Sequence, residues 1–176
     1  MRLAILPIVT TFLATPAMAV EPSAMAPLTD ANGESIGEVR FTEGPHGVLI
    51  DVEVSDLSPG AHGIHIHAVG TCEDASAGFQ AAEGHVKGDA EFEHGLLNPN
   101  GPEVGDLPNL YVSSDGTGRA QFYSMQISLR GIDGRQKLLD ENGSSFMIHA
   151  AADDHTSQPI GGAGDRIACG ALEAIQ

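Results

Sequence analysis

Hydrophobic residues recur at every second position in a series of short runs along the chain. Val39 and Phe41 alternate with polar neighbours, and Val48, Ile50, Val52 and Val54 alternate with Leu49, Asp51 and Glu53. The rhythm continues at Leu110 and Val112, at Ala120, Phe122 and Ser124, and at Ile127 and Leu129. Phe146 and Ile148 share a face opposite Met147 and His149, and a last run spans about residues 167–172. A period of two is the signature of strands with one face on a core. Turn signals separate the runs: Asp30-Ala31-Asn32-Gly33, Gly44-Pro45, Ser58-Pro59-Gly60, Asp115-Gly116-Thr117-Gly118, Asp133-Gly134 and Asn142-Gly143. With a first strand near residues 25–28, the pattern predicts an all-β domain of about eight short antiparallel strands, a sandwich or a barrel. Two stretches break it, residues 69–108 and 150–165. Long loops of this kind in a small domain usually carry function.

The strand containing Gly63-Ile64-His65-Ile66-His67 stands out within this pattern. Side chains alternate faces along a strand, so Ile64 and Ile66 point to the core and His65 and His67 to the other side. Two imidazoles on one rigid face form half of a metal site. They also suit an edge strand that merely shows two histidines to solvent, and H-x-H is too short a motif to decide. The long loops add candidates: Cys72, His85, His94, Glu103 and Asp106 in the first, and His149, Arg166 and Cys169 flanking the second.

Composition narrows the setting. Residues 1–19 combine Arg2, an apolar run from Leu3 to Leu13 and Ala17-Met18-Ala19. This reads as a cleaved signal peptide, which leaves a single domain over residues 20–176. The apolar run is too short to span a bilayer. Export permits a disulfide, and Cys72 and Cys169 are the only two cysteines, so one bridge between them is expected. The whole chain carries 24 acidic against 8 basic residues, a formal charge of −16. Such acidity argues against nucleic acid and anionic membranes as partners and keeps an exported protein soluble.

In order along the chain, Gly63-Ile64-His65-Ile66-His67, Gly84-His85, His94-Gly95, Gly105-Asp106-Leu107-Pro108-Asn109, Ile148-His149 with Ala152-Asp153-Asp154, and Gly162-Ala163-Gly164-Asp165-Arg166-Ile167-Ala168-Cys169-Gly170 resemble the bacterial periplasmic copper/zinc superoxide dismutases. The resemblance implies a Greek-key barrel with two long functional loops, located in the periplasm. It implies copper on His65, His67, His85 and His149, with His85 shared as a bridge to zinc, and His94 and Asp106 as further zinc ligands. Asp153 is implied as the carboxylate accepting from His65 and His94, and Arg166 as the residue that docks the superoxide anion. His62 is implied to be structural, whereas His46 and His155 match no family role and read as surface histidines. Imidazole nitrogens suit copper in both redox states, and a fixed guanidinium suits a small anion, so the residue chemistry agrees. A copper-binding protein without catalysis, or a zinc hydrolase, is the competing reading. A monomer and a homodimer are both compatible with the sequence.

The chain departs from the family in two places. Glu103 stands where the family carries a histidine zinc ligand, so either Glu103 ligates zinc or the zinc site is weakened and the protein works on copper alone. The adjoining Val86-Lys87-Gly88-Asp89 lacks the family's usual aromatic and Asn-Pro. Residues 150–165 contain no Lys or Arg, which leaves Arg166 and Lys87 to attract the anion.

Overall fold

The computed structural model describes residues 23–88 and 91–175. The signal peptide expected over residues 1–19 lies outside them. Twelve short strands and three single turns of 3-10 helix make up the described chain, and no helix is long and apolar enough to cross a membrane.

The strands are β1 (Ala24–Asp30), β2 (Ser35–Gly44), β3 (Gly47–Val54), β4 (Gly60–His62), β5 (Ile64–His67), β6 (Leu110–Val112), β7 (Gly118–Ser124), β8 (Ile127–Ser128), β9 (Gln136–Lys137), β10 (Ser145–His149), β11 (Arg166–Ala171) and β12 (Glu173–Ala174). One antiparallel sheet runs in the order β4-β6-β7-β3-β2-β1-β11-β10-β5, with β12 on β1. Its two ends, β4 and β5, are successive segments of one stretch broken only at Gly63, so the sheet curls into a nearly closed barrel. The pairings β3–β7 and β1–β11 join strands far apart in sequence, as Greek-key connections do. Counting β4 and β5 together, eight principal strands carry the barrel, as the alternation predicts. The departures are local: β8 pairs in parallel with β9 in a separate two-residue ribbon, and β12 extends the last strand past Leu172.

The alternating residues fill the interior. Val39, Phe41, Val48, Ile50, Ile64, Ile66, Leu110, Phe146 and Ile148 are fully buried in one cluster. Phe146 lies opposite Ile66, and Ile148 opposite Ile64, across the β10–β5 ladder. The other face of the same strands therefore carries His65, His67, Met147 and His149, which point away from the core. That face is buried too, because loop 68–109 folds back over it. Cys72 and Cys169 are bridged, 97 positions apart in sequence. Around the bridge, Phe79, Ala82, Met147 and Cys169 form a second small apolar cluster. Gly105 makes the loop's closest approach: its N–H donates to Val86 O (2.8 Å) and its carbonyl accepts from Ile66 N (2.9 Å). A Cβ there would stand 2.2 Å from Ile66 O, so only glycine lets the loop lie against the histidine strand.

Candidate metal centre

Strand alternation places His65 and His67 on the outer face of β5. His149 ends β10 and lies directly opposite Arg166, the first residue of β11, just past an irregularity in the ladder. His85 is bridged to His67, and Asp106 to His65, by single β-type pairings that fasten the loop to β5. His65, His67, His85 and His149 thereby converge, with ligand-type atoms all within 4.8 Å of one another. A second set, His65, His85, His94 and Asp106, meets the same limit, so His85 belongs to both.

In the first set each ring has one nitrogen anchored and one free. His67 Nδ1 donates to Glu83 O (2.8 Å), His149 Nδ1 donates to Gly164 O (3.0 Å), and His65 Nε2 donates to Asp153 Oδ2 (2.9 Å). A ring nitrogen facing a carbonyl or carboxylate carries the proton, which leaves the lone pair on the other nitrogen. Those others, His65 Nδ1, His67 Nε2, His149 Nε2 and His85 Nε2, are buried and have no hydrogen-bond partner. Buried polar atoms are rarely left this way; three converging lone pairs, with His85 Nε2 joining them once that ring gives up its proton, are what a copper ion needs. Burial holds these rings neutral, with His65 lowered to about 3, His67 to about 2 and His149 to about 4. Neighbouring positive charge, from His85 on all three and from Arg166 on His67 and His149, adds to that effect.

The second set meets carboxylates, Asp106 within it and Glu103 beside it. His94 Nδ1 lies 2.8 Å and His85 Nδ1 3.1 Å from Asp106 Oδ1, while Glu103 Oε2 is 2.9 Å from His85 Nδ1. Burial opposes charge on His94, but the hydrogen bonds to Asp106 and Asp153 win and lift it to about 10. His85 is raised in the same way by Asp106 and Glu103. The protons pulled onto these rings occupy the place where a divalent cation would satisfy the same carboxylates. Two imidazole nitrogens and carboxylate oxygens, gathered and buried, suit zinc.

Asp153 ties the sets together: Oδ2 accepts from His65 and Oδ1 faces His94 Nε2 at 3.2 Å. Asn109 clamps its backbone, accepting from Asp153 N and donating to Asp153 O, both at 2.8 Å. A Cβ on Gly161 would fall 1.7 Å from Asp153 Oδ1, so the carboxylate occupies space that only glycine leaves open. His155, expected on the surface, is instead half-buried, with Nδ1 3.5 Å from Asp153 Oδ2; His46 is exposed. His62 is buried with its ring nitrogens against His149 O (2.7 Å) and Ser58 O (2.8 Å), outside both sets.

Arg166 donates from Nη1 to Phe79 O and from Nη2 to Glu83 O, both at 2.6 Å. Among the described residues no carboxylate, its neighbour Asp165 included, lies within ion-pair distance of it. Its guanidinium and His149 line an open cavity of about 570 Å³ together with Gln80, Ile160 and Asp165. Lys87 does not share that cavity; its Nζ lies 3.4 Å from Glu103 Oε1. The backbone carbonyls of Phe79 and Glu83, which set Arg166 in place, were invisible to sequence reasoning because every residue has one.

A family profile described as copper/zinc superoxide dismutase matches residues 35–172. The superoxide dismutase (Cu-Zn) of Caulobacter vibrioides is 46% identical over 151 residues, covering 86% of each chain. Superoxide dismutase (Cu-Zn) 1 of Aquifex aeolicus is 37% identical over 157 residues, covering 89% of this chain and 90% of its own. Among solved structures, a SOD-like protein from Bacillus subtilis matches with TM-score 0.77 at 34% identity, over 85% of this chain and 97% of its own. The Cu/Zn superoxide dismutase from Brucella abortus matches with TM-score 0.65 at 27% identity, over 87% and 100%. With the profile spanning most of the sequence, the chain belongs to the copper/zinc superoxide dismutases, a family of enzymes.

Proposed function

We propose that this protein dismutes superoxide in the periplasm: two superoxide anions and two protons give O₂ and H₂O₂. The observation that carries the reading is the set of four partnerless buried ring nitrogens beside an unpaired guanidinium. His65, His67, His85 and His149 hold copper, and His85, His94 and Asp106 hold zinc. Copper bound there supplies one-electron cycling between Cu(II) and Cu(I), which oxidises one superoxide and reduces the next. Arg166 binds the anion in the cavity it shares with His149, using planar donors on a charge that stays in place at any working pH. When its Nε2 is not engaged by copper, His85 could carry a proton there toward the reduced product while its Nδ1 stays beside Asp106 and Glu103. Asp153 fixes the tautomers of His65 and His94 at once. Export rests on the leader-like residues 1–19, with 20–176 as the mature single domain.

The test is reconstitution of the purified protein with copper and zinc, followed by superoxide consumption. Rapid consumption that requires copper and falls on replacing Arg166 supports the proposal. Stoichiometric copper binding with consumption no faster than free buffer identifies a copper-binding protein instead.

A further inference from the structure

Glu103 is buried, yet its two oxygens face different ways. Oε2 lies 2.9 Å from His85 Nδ1, beside the second set, and Oε1 lies 3.4 Å from Lys87 Nζ, whose side chain is 63% exposed. Asp106 is arranged in parallel. Its Oδ2 is taken up by the N–H groups of Gly95 (2.8 Å) and Glu103 (3.0 Å), which leaves Oδ1 on His85 and His94. A short turn, with Asp106 N donating to Glu103 O at 3.1 Å, sets both carboxylates on one side of the loop. His85 Nδ1 can carry one proton at most and thus cannot satisfy both carboxylates that crowd it. Two buried carboxylates converging on one ring nitrogen are costly to leave without a positive charge between them.

We propose that Glu103 Oε2 is the fourth zinc donor, completing a two-nitrogen, two-oxygen set with His85 Nδ1, His94 Nδ1 and Asp106 Oδ1, and that Lys87 is a positioning residue holding the outer oxygen of Glu103. This rests on the zinc assignment above. The donor sets then sort the metals by themselves. Four imidazoles favour copper, whereas exchanging an imidazole for a carboxylate makes the second site harder and less attractive to copper. The two carboxylates would match the charge of Zn²⁺, and the Lys87 ammonium offsets part of the negative charge that Glu103 brings to the site.

The experiment measures zinc affinity by chelator competition on copper-loaded protein, with the visible spectrum of Co²⁺ in the second site as an independent readout. Glu103→Gln is expected to weaken zinc by about 100-fold or more, at or above the loss seen on removing an outer-shell partner. Glu103→His is expected to restore affinity while moving the Co²⁺ bands, because nitrogen replaces oxygen. Lys87→Met is expected to weaken zinc by roughly 10-fold or less and to leave the bands in place. Unchanged affinity in Glu103→Gln overturns the assignment. If that variant does not fold, Glu103→His decides: Co²⁺ bands identical to wild type overturn it, shifted bands support it. A wild-type protein that takes copper and consumes superoxide yet holds no zinc sinks this inference alone, leaving the dismutase proposal standing.

Discussion

The two sides of His85 differ in what holds their imidazoles. On one side His65, His67 and His149 are anchored through one ring nitrogen each, to a carboxylate or to backbone carbonyls, and burial keeps them neutral. On the other side His94 and the far nitrogen of His85 face carboxylates that draw positive charge onto them. The first half presents lone pairs with no ion needed to balance charge; the second presents charge that calls for an ion. Burial opposes charge on both sides; His85 and His94 gain it because each faces two carboxylates, whereas His65 faces one and His67 and His149 face carbonyls.

This contrast can be broken most sharply on the neutral side. His149→Ala is expected to abolish copper retention and reduce superoxide consumption to that of the metal-free protein, while zinc uptake persists; metal analysis beside the assay checks it, and copper still bound at one per chain would refute the contrast. Next in size, Arg166→Ile should lower kcat/KM by roughly 100-fold with copper content unchanged, the scale expected for a charged group docked beside the reacting centre. Cys72→Ser frees a loop near 100 residues long, for which the chain-entropy account gives an upper figure of about 4.7 kcal/mol. The metal-free Tm should fall by about 10 °C, read by calorimetry.

Smaller effects come from pH and salt. In metal-free protein, His65, His67 and His149 titrate below the ordinary value of 6.5, at about 3, 2 and 4. Their contribution to stability is complete above about 6.5 and is lost as pH falls toward those values, since burial must then accept charge. His94, at about 10, contributes fully below 6.5 and loses that contribution as pH rises through 10. The metal-free Tm should peak near neutrality and fall by several degrees on each side, and saturating zinc should flatten the alkaline limb by replacing the His94 proton. A monotonic pH profile would show that the halves are not opposed. The smallest effect is on encounter: among the described residues Arg166 is the one cation lining the cavity, beside Asp165, in a chain of charge −16. kcat/KM should change by less than about 3-fold when ionic strength rises across the range in which the Debye length drops from ~30 to ~10 Å.

Alternation made the barrel legible, because Val48 through Val54 and Phe146 with Ile148 can fill a core only as strands. It also placed His65 and His67 on a common face opposite Ile64 and Ile66. The long loops were marked by the loss of that rhythm, but their path was not, since it is set by backbone contacts such as Gly105 on Ile66 and Val86. The parallel ribbon of β8 and β9 escaped notice because two residues carry no period. His155 read as a surface residue because nothing near it in sequence reveals that Asn109, from another loop, brings Asp153 against it. Glu103 was legible only as a departure; its double orientation needed coordinates.

The carbonyl of Glu83 accepts from His67 Nδ1 at 2.8 Å and from Arg166 Nη2 at 2.6 Å. One oxygen therefore sets both the tautomer of His67 and the aim of the Arg166 guanidinium. No side-chain substitution at position 83 can remove that acceptor, so these two settings are protected from point mutation there. They remain vulnerable together to anything that shifts the peptide itself, and any redesign of this loop would retune the histidine cluster and the adjoining cavity as a single variable.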